Sequence, residues 1–337
     1  MTPSQANANF HTATARSVFD ARLKDPLFHA YRKRWQEGPA SFSAGTFPIH
    51  LDIESTGICN LRCPFCATTM KNWGPETPGY MRLELFQRII DEAAAEGLSS
   101  IKLSFRGEPT LHQQLPAMVA YAKQKKILDV YFNTNGTLLT ENLVHRLIDA
   151  GLDRISISFE GLSKEAYEGY RVGAVFEKVL ENVRQLRRLR DARGFGTPQI
   201  RVQSVLLPEL QSEFSDYVRF WETVADEVAY LDMRREGPHD DHRGQVADWA
   251  CPFLWQRMTI LWDGTVLPCL MHGVSDFRLL ALGNVAEKSI KELWNGEQEK
   301  RYRALHQDGR AHQLEACDRC SYRAMELEKL ALGKRIG

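Results

Sequence analysis

No stretch of this 337-residue chain approaches the ~18 consecutive apolar residues that mark a membrane span. Charge of one sign is not in excess either. The 43 basic residues meet 43 acidic ones, which leaves no electrostatic footprint for a nucleic acid or a membrane surface. The opening Met1-Thr2-Pro3-Ser4-Gln5 lacks the basic and apolar pattern of a signal peptide, so a cytoplasmic location is expected. No internal repeat or low-complexity tract stands out. Cysteine is sparse, at seven, and in a cytosolic chain these thiols point to metal ligation rather than disulfides.

Three of the seven lie together in Cys59-Asn60-Leu61-Arg62-Cys63-Pro64-Phe65-Cys66, directly after the alternating run His50-Leu51-Asp52-Ile53-Glu54-Ser55. Thiolates on one short C-x3-C-x2-C loop can hold three irons of a [4Fe–4S] cluster, leaving the fourth iron open to a small molecule. A structural zinc loop is the alternative. Zinc sites usually use C-x2-C pairs and four ligands, a pattern this triad fits poorly.

The rest of the chain reads as an α/β fold. Residues 1–48 form a polar lead-in, in which Val18, Phe19, Leu23, Phe28, Tyr31 and Trp35 suit an amphipathic helix broken at Pro26 and packed as a cap. Six strand-then-helix units follow, with strands near 50–55, 101–105, 129–133, 154–159, 200–206 and 229–234. Helical patterns lie near 83–96, 114–125, 141–150, 174–193 and 213–225. This alternation predicts a parallel sheet with helices outside, and six units suit a partial (β/α)6 TIM-like barrel over 49–236. A small β-hairpin-plus-helix domain over 237–337 completes the expected organisation.

The strands are not the continuous apolar runs of a sheet buried on both faces. Lys102, Ser104 and Arg106 alternate with Ile101, Leu103 and Phe105. Arg154, Ser156, Ser158 and Glu160 alternate with Ile155, Ile157 and Phe159, and Tyr230, Asp232, Arg234 and Glu236 with Leu231 and Met233. Successive strand side chains face opposite ways, so a polar set is expected inside the barrel. Such an interior holds either polar ligands or water.

Short motifs fall at the C-terminal ends of the strands, where barrel active sites lie. The cysteine loop follows the first strand, Arg106-Gly107-Glu108-Pro109 the second and Asn133-Thr134-Asn135-Gly136 the third. Ser158-Phe159-Glu160-Gly161 ends the fourth. Each glycine alone reads as a turn residue. Together with the cysteine loop, the set resembles the radical S-adenosylmethionine (radical SAM) enzymes. The resemblance implies that the open iron holds the amino and carboxylate groups of S-adenosylmethionine, whose reductive cleavage gives a 5′-deoxyadenosyl radical. It implies that Gly107, Glu108 and Pro109 meet the methionyl amino group and that Asn135 and Ser158 meet the ribose or methionyl moiety. Arg171 would meet the methionyl carboxylate, and the Phe65 backbone the adenine. Read without the resemblance, Arg171 is a surface helix arginine. The glycine-rich adenine motif of some members is absent from the fifth strand, Arg201-Val202-Gln203-Ser204-Val205-Leu206.

Cys251, Cys269, Cys317 and Cys320 fill the last quarter, around a hairpin centred on Asp263-Gly264 and a helix at Ser289–Trp294. This segment resembles the C-terminal SPASM/Twitch extension of radical enzymes, with four cysteines as in the Twitch type rather than the seven of a full SPASM domain. Four thiolates saturate a [4Fe–4S] cluster, which then suits electron transfer. An all-cysteine zinc site is the alternative.

Three plus four exhausts the cysteines, so no thiol remains to return hydrogen to a substrate radical. An oxidation of a carbinol to a ketone is therefore expected, with the auxiliary cluster accepting an electron and a donor such as flavodoxin or ferredoxin supplying the SAM-binding cluster. About 48 residues precede the barrel, too few for the peptide-binding domain of peptide-modifying relatives. With the polar interior, this favours a small polar substrate such as a sugar, aminocyclitol or nucleotide-sugar. Glu54, Arg106, Glu160, Gln203, Arg234 and Glu236 are the candidate substrate contacts, each able instead to close an internal salt bridge. A radical epimerase or decarboxylase, or a peptide or protein maturase, are the alternatives.

Overall fold

The computed structural model describes residues 10–15, 17–70, 78–194, 196–233, 249–270 and 280–336. Its strands are β1 Phe10–Thr12, β2 His50–Ile53, β3 Ser100–Lys102, β4 Asp129–Thr134, β5 Arg154–Ser158, β6 Gln199–Leu206, β7 Glu227–Asp232, β8 Arg257–Ile260, β9 Thr265–Leu267 and β10 Gly283–Asn284. Its helices are α1 Pro26–Ala40, α2 Ala67–Met70, α3 Leu83–Ala95, α4 Leu115–Gln124, α5 Glu141–Asp149, α6 Lys164–Tyr170, α7 Phe176–Ala192, α8 Phe214–Trp221, α9 Ile290–Trp294, α10 Glu297–Gln307, α11 Glu315–Asp318 and α12 Ser321–Ile336. None of the described helices is long and apolar enough to cross a membrane.

The strands form one open sheet in the order β1-β7-β6-β5-β4-β3-β2-β8-β9-β10. From β2 to β7 each strand is parallel to its neighbour, so the six expected strands are present, and helices follow the first five of them among the described residues. The outward set Leu51, Ile53, Ile101, Leu103, Val130, Phe132, Ile155 and Ile157 is buried against the helices, whose apolar stripes supply Phe86, Ile90, Met118, Val144 and Val183. That division is what period-two strands under period-3.6 helices require.

Two features depart from the expected organisation. The lead-in is not only helical: β1 pairs antiparallel with β7, Phe10 opposite Leu231, and covers that edge of the sheet. Pro26 begins α1 rather than breaking it, because the first turn needs no N–H from that residue, and Asp25 caps the helix by accepting from the Leu27 amide at 2.8 Å. At the other edge, β8 lies parallel to β2, Asp52 opposite Thr259, so the C-terminal segment extends the barrel sheet. The expected hairpin is there, with Thr259 opposite Leu267, and Gly264 turns it at φ +91°. The expected boundary at residue 237 lies outside the described residues.

The inward polar set is buried, and its lower half is filled. At the N-terminal ends of the strands, Asp129 takes Arg154 (2.9 and 2.7 Å) and Arg22. Asp52 takes Lys102 (2.6 Å) and Arg257 (3.3 Å), and Glu227 takes Arg201 (2.8 Å). Below them the lead-in forms its own small core of Val18, Phe19, Phe28, Tyr31, Trp35 and Ile49. The Arg154 guanidinium lies 4.7 Å from the Phe19 ring and that of Arg257 4.6 Å from Trp35. The lead-in thus plugs one end of the barrel, and the open space lies at the opposite end.

Candidate functional site

A cavity of about 420 Å³ opens at the C-terminal ends of the strands, and Cys59, Cys63 and Cys66 all line it. The cysteine loop is held there by backbone. The Glu108 amide donates to the Ile58 carbonyl at 2.8 Å, and Gly57 donates to Gly79 at 3.0 Å. Gly107 makes this approach possible. A Cβ there would stand 2.2 Å from the Thr56 carbonyl oxygen and 2.6 Å from that of Ile58. Its glycine serves close packing of two loops rather than a turn.

Side chains add a second tie. Asn60 donates to Thr137 Oγ1 at 2.9 Å and accepts from Asn135 Nδ2 at 2.9 Å. Asn135 Oδ1 takes both the amide and the hydroxyl of Thr137. Asn135 therefore lines the cavity while bolting the cysteine loop to the end of β4.

Glu108 is buried, at 3% exposure, and caps the short 3-10 turn that begins at Pro109. Its Oε1 accepts from the Thr110 amide (3.1 Å), the Thr110 hydroxyl (2.6 Å) and Thr134 Oγ1 (2.7 Å), and its Oε2 from the Asn135 amide (2.7 Å). Burial pushes this carboxyl above its ordinary value, against the pull of those donors. Oε2, with one partner against three on Oε1, keeps acceptor capacity toward the cavity.

Arg171 lines the cavity and is no surface residue. Its Nε and Nη2 grip Glu160 in a two-pronged pair, Nη2 at 2.6 Å, while Nη1 lies 3.7 Å from Cys63 Sγ. The guanidinium also sits 5.4 Å from the Phe65 ring. Burial pushes the Cys59 and Cys63 thiols up, and Arg171 beside Cys63 pulls the second one back.

The expected substrate contacts fall into three groups. Glu54 and Arg106 form a two-pronged pair (2.7 and 2.8 Å), with Glu54 wholly buried, and Glu160 belongs to Arg171. The salt-bridge alternative therefore describes these three. Gln203 is buried in β6 beside Ser158, which lines the cavity from β5. Arg234 and Glu236 lie outside the described residues. Sequence reasoning left out Lys102, Ser104 and Asn133 as contacts, yet all three line the cavity. The alternation that marked Lys102 and Ser104 as inward, and the strand-end motif that holds Asn133, could have named them.

Cys251, Cys269, Cys317 and Cys320 line a second, smaller void of about 40 Å³ with largely apolar walls. They come from four places: the start of a 3-10 turn, the end of the hairpin, α11 and the entry to α12. Burial pushes Cys251 and Cys317 well above the ordinary thiol range. His306, 3% exposed on α10, stands between them and is pushed down to about 4 by burial. Its Nδ1 accepts from the Cys251 amide at 3.1 Å, and its Nε2 lies 3.3 Å from Cys317 Sγ. Among the described residues, no three His, Cys, Asp or Glu side chains converge as ligands of one metal ion. The four cysteines instead surround a common void, an arrangement that suits a cluster with one thiolate per iron.

The comparisons with known proteins agree with this geometry. The sequence model of the radical SAM superfamily matches residues 53–218, and that of the SPASM iron–sulfur cluster-binding domain matches residues 251–321. The chain is 25% identical over 321 residues to the tungsten-containing aldehyde ferredoxin oxidoreductase cofactor-modifying protein of Pyrococcus furiosus, across 81% of this chain and 87% of that one. It is 26% identical over 313 residues to the PqqA peptide cyclase of Granulibacter bethesdensis, across 81% and 80%. A probable GTP 3′,8-cyclase of Metallosphaera sedula is 30% identical over 190 residues, and the chain spans 56% of its length. The solved structure of native anSMEcpe with bound AdoMet superposes with a TM-score of 0.60 at 15% identity, over 86% of this chain and 98% of that one, a likeness of fold. The chain belongs to the radical SAM superfamily, with a C-terminal SPASM iron–sulfur domain, and its cofactors are S-adenosylmethionine, a SAM-binding [4Fe–4S] cluster and auxiliary iron–sulfur.

Proposed function

We propose that this enzyme oxidises a carbinol of a small hydroxylated molecule, such as a sugar, aminocyclitol or nucleotide-sugar, to a ketone. In this reading Cys59, Cys63 and Cys66 hold the SAM-binding cluster, and Cys251, Cys269, Cys317 and Cys320 hold one auxiliary [4Fe–4S] cluster. The observation that carries the reading is the partition of all seven cysteines between two cavities, three and four. No thiol is left to return a hydrogen atom. When bound, the cofactors would supply a 5′-deoxyadenosyl radical that takes hydrogen from the carbinol carbon and an acceptor for the electron left behind, while a base in the cavity takes the hydroxyl proton. The chain's own residues do the rest. Glu108 Oε2 and the Gly107-Glu108-Pro109 backbone receive the methionyl ammonium, Arg171 Nη1 the carboxylate, Ser158 and Asn135 the ribose or methionyl moiety, and the Phe65 backbone the adenine. Lys102, Ser104 and Asn133 orient the substrate hydroxyls on the cavity floor, with Gln203 nearby. The Glu54–Arg106 pair holds the wall beside them. A small redox protein such as flavodoxin or ferredoxin supplies the electron that starts the reaction.

A second reading, a maturase of a peptide or protein, is favoured by two relatives that align along four fifths or more of their length, a cofactor-modifying protein and a peptide cyclase.

Anaerobic reconstitution tests the partition first: iron analysis is expected to give about eight irons per chain, two four-iron clusters. Replacing Cys59, Cys63 and Cys66 by alanine should leave about four and abolish 5′-deoxyadenosine formation. Stoichiometric zinc with a single cluster would overturn the auxiliary assignment. With substrate in heavy water, the oxidation predicts a product two mass units lighter, without carbon-bound deuterium gained. Unchanged mass in ordinary water, with one carbon-bound deuterium gained in heavy water, means epimerisation instead. The same mass loss confined to a peptide substrate selects the maturase.

A further inference from the structure

His306 and Arg323 are the buried polar side chains that line the C-terminal void beside its cysteines, and His306 reaches two of those cysteines. His306 is buried on α10, on the face it shares with Tyr302 one turn earlier. Its ring spans two cysteines that lie far apart in the chain. Nδ1 receives the backbone N–H of Cys251 at 3.1 Å, so that nitrogen must present its lone pair. The ring proton then belongs to Nε2, which stands 3.3 Å from Cys317 Sγ. One amide thereby selects the tautomer that aims an N–H at a sulfur.

We propose that His306 is a positioning residue of the auxiliary cluster, which donates Nε2–H to the Cys317 thiolate and raises the cluster's reduction potential. The inference rests on the reading of Cys317 as a ligand of that cluster. An iron–sulfur cluster gains one electron on reduction, and the added negative charge spreads onto its sulfurs. A donor fixed on one of them stabilises the reduced form more than the oxidised form. The surrounding void is largely apolar, so the hydrogen bond acts without competition from water. Placed this way, His306 makes the cluster a better acceptor for the electron that leaves the substrate.

The test is a potentiometric titration of the holoenzyme followed by electron paramagnetic resonance. Added S-adenosylmethionine changes the signal of the SAM-binding cluster and so separates it from the auxiliary one. His306→Leu should shift the auxiliary midpoint to lower potential with its iron retained. His306→Gln, whose side-chain amide can place an N–H where Nε2 stood, should restore the midpoint toward wild type. An unshifted midpoint in an iron-replete His306→Leu enzyme overturns the proposal. The unaltered enzyme gives an independent readout should that variant lose its cluster. With 15N-histidine, its reduced auxiliary signal should carry a weak nitrogen coupling that disappears in His306→Gln, and the absence of that coupling equally overturns the proposal. Absence of any auxiliary cluster signal in the unaltered enzyme is a different result, which removes the underlying ligand assignment.

Discussion

Arg171 has two claims on it, a structural one to Glu160 and a binding one to the methionyl carboxylate, and a double-mutant cycle separates them. Glu160 is 1% exposed and takes two of the three guanidinium nitrogens. Arg171→Met leaves that carboxylate buried and unpaired except for the Val205 amide at 3.3 Å. Breaking a buried pair from one side costs about 3–5 kcal/mol, a large share of the 5–15 kcal/mol that holds a typical domain. Glu160→Gln removes the charge but keeps the shape. Combined with Arg171→Met, it leaves no orphaned ion, so the double variant should be more stable than Arg171→Met alone, with a coupling of about 0.5–3 kcal/mol. Binding should not follow the same pattern. A charged hydrogen bond to the methionyl carboxylate is worth about 1.5–3 kcal/mol, so Arg171→Met should weaken S-adenosylmethionine binding roughly 10- to 100-fold. Glu160→Gln should leave it near wild type, and the double variant should stay weak. The measurements are anaerobic denaturant midpoints of the iron-loaded chain and S-adenosylmethionine affinity by calorimetry. A double variant that regains both stability and affinity would reduce Arg171 to a structural ion-pair partner. Strictly additive stability changes would refute the pair itself.

Gly107→Ala should displace the cysteine loop, because both obstacles to the new methyl are backbone carbonyls, at 2.2 and 2.6 Å. The expected cost is about 1–3 kcal/mol or more. Loss of iron from the first cluster should accompany it, and a replete variant with a wild-type midpoint would contradict the close-packing account. Glu299, wholly buried 3.3 Å from Arg303, is pushed up to about 8 by burial, from an ordinary value of 4.5. Between those values the folded chain keeps a proton that the unfolded chain has lost. Stability from this group is whole below 4.5 and falls as pH rises toward 8. Glu299→Gln should therefore match wild type near about pH 4 and exceed it near about pH 8.5, and an equal difference at both pH values would exclude Glu299 as the source.

Much of this molecule was legible in short-range pattern. The period of two in Ile101–Arg106 and Arg154–Glu160 separated an apolar face from a polar one, because successive strand side chains must point opposite ways. The cysteine spacing from Cys59 to Cys66 identified the family, since three thiols on one short loop are fitted to a cluster with an open iron. Gly107 and Glu108 were found by their place after a strand, and they line the cavity with the cysteines.

Pattern could not say which inward charge meets which. Glu54 finds Arg106 across 52 positions, Arg171 finds Glu160 across 11, and Arg257 reaches Asp52 across 205. Those pairings depend on sheet order and register. Placing β8 beside β2 is decided by which edge of the open sheet is uncovered once the helices have packed, and no local spacing encodes it. The same holds for β1 on β7 and for His306 between Cys251 and Cys317. The sequence alone determined the periodicities and the ligand loop, because both are properties of neighbouring residues. Only the tertiary structure decided which polar groups neutralise one another and which, like Ser104 and Asn133, are left facing the cavity, because that depends on distances between residues brought together by the whole fold.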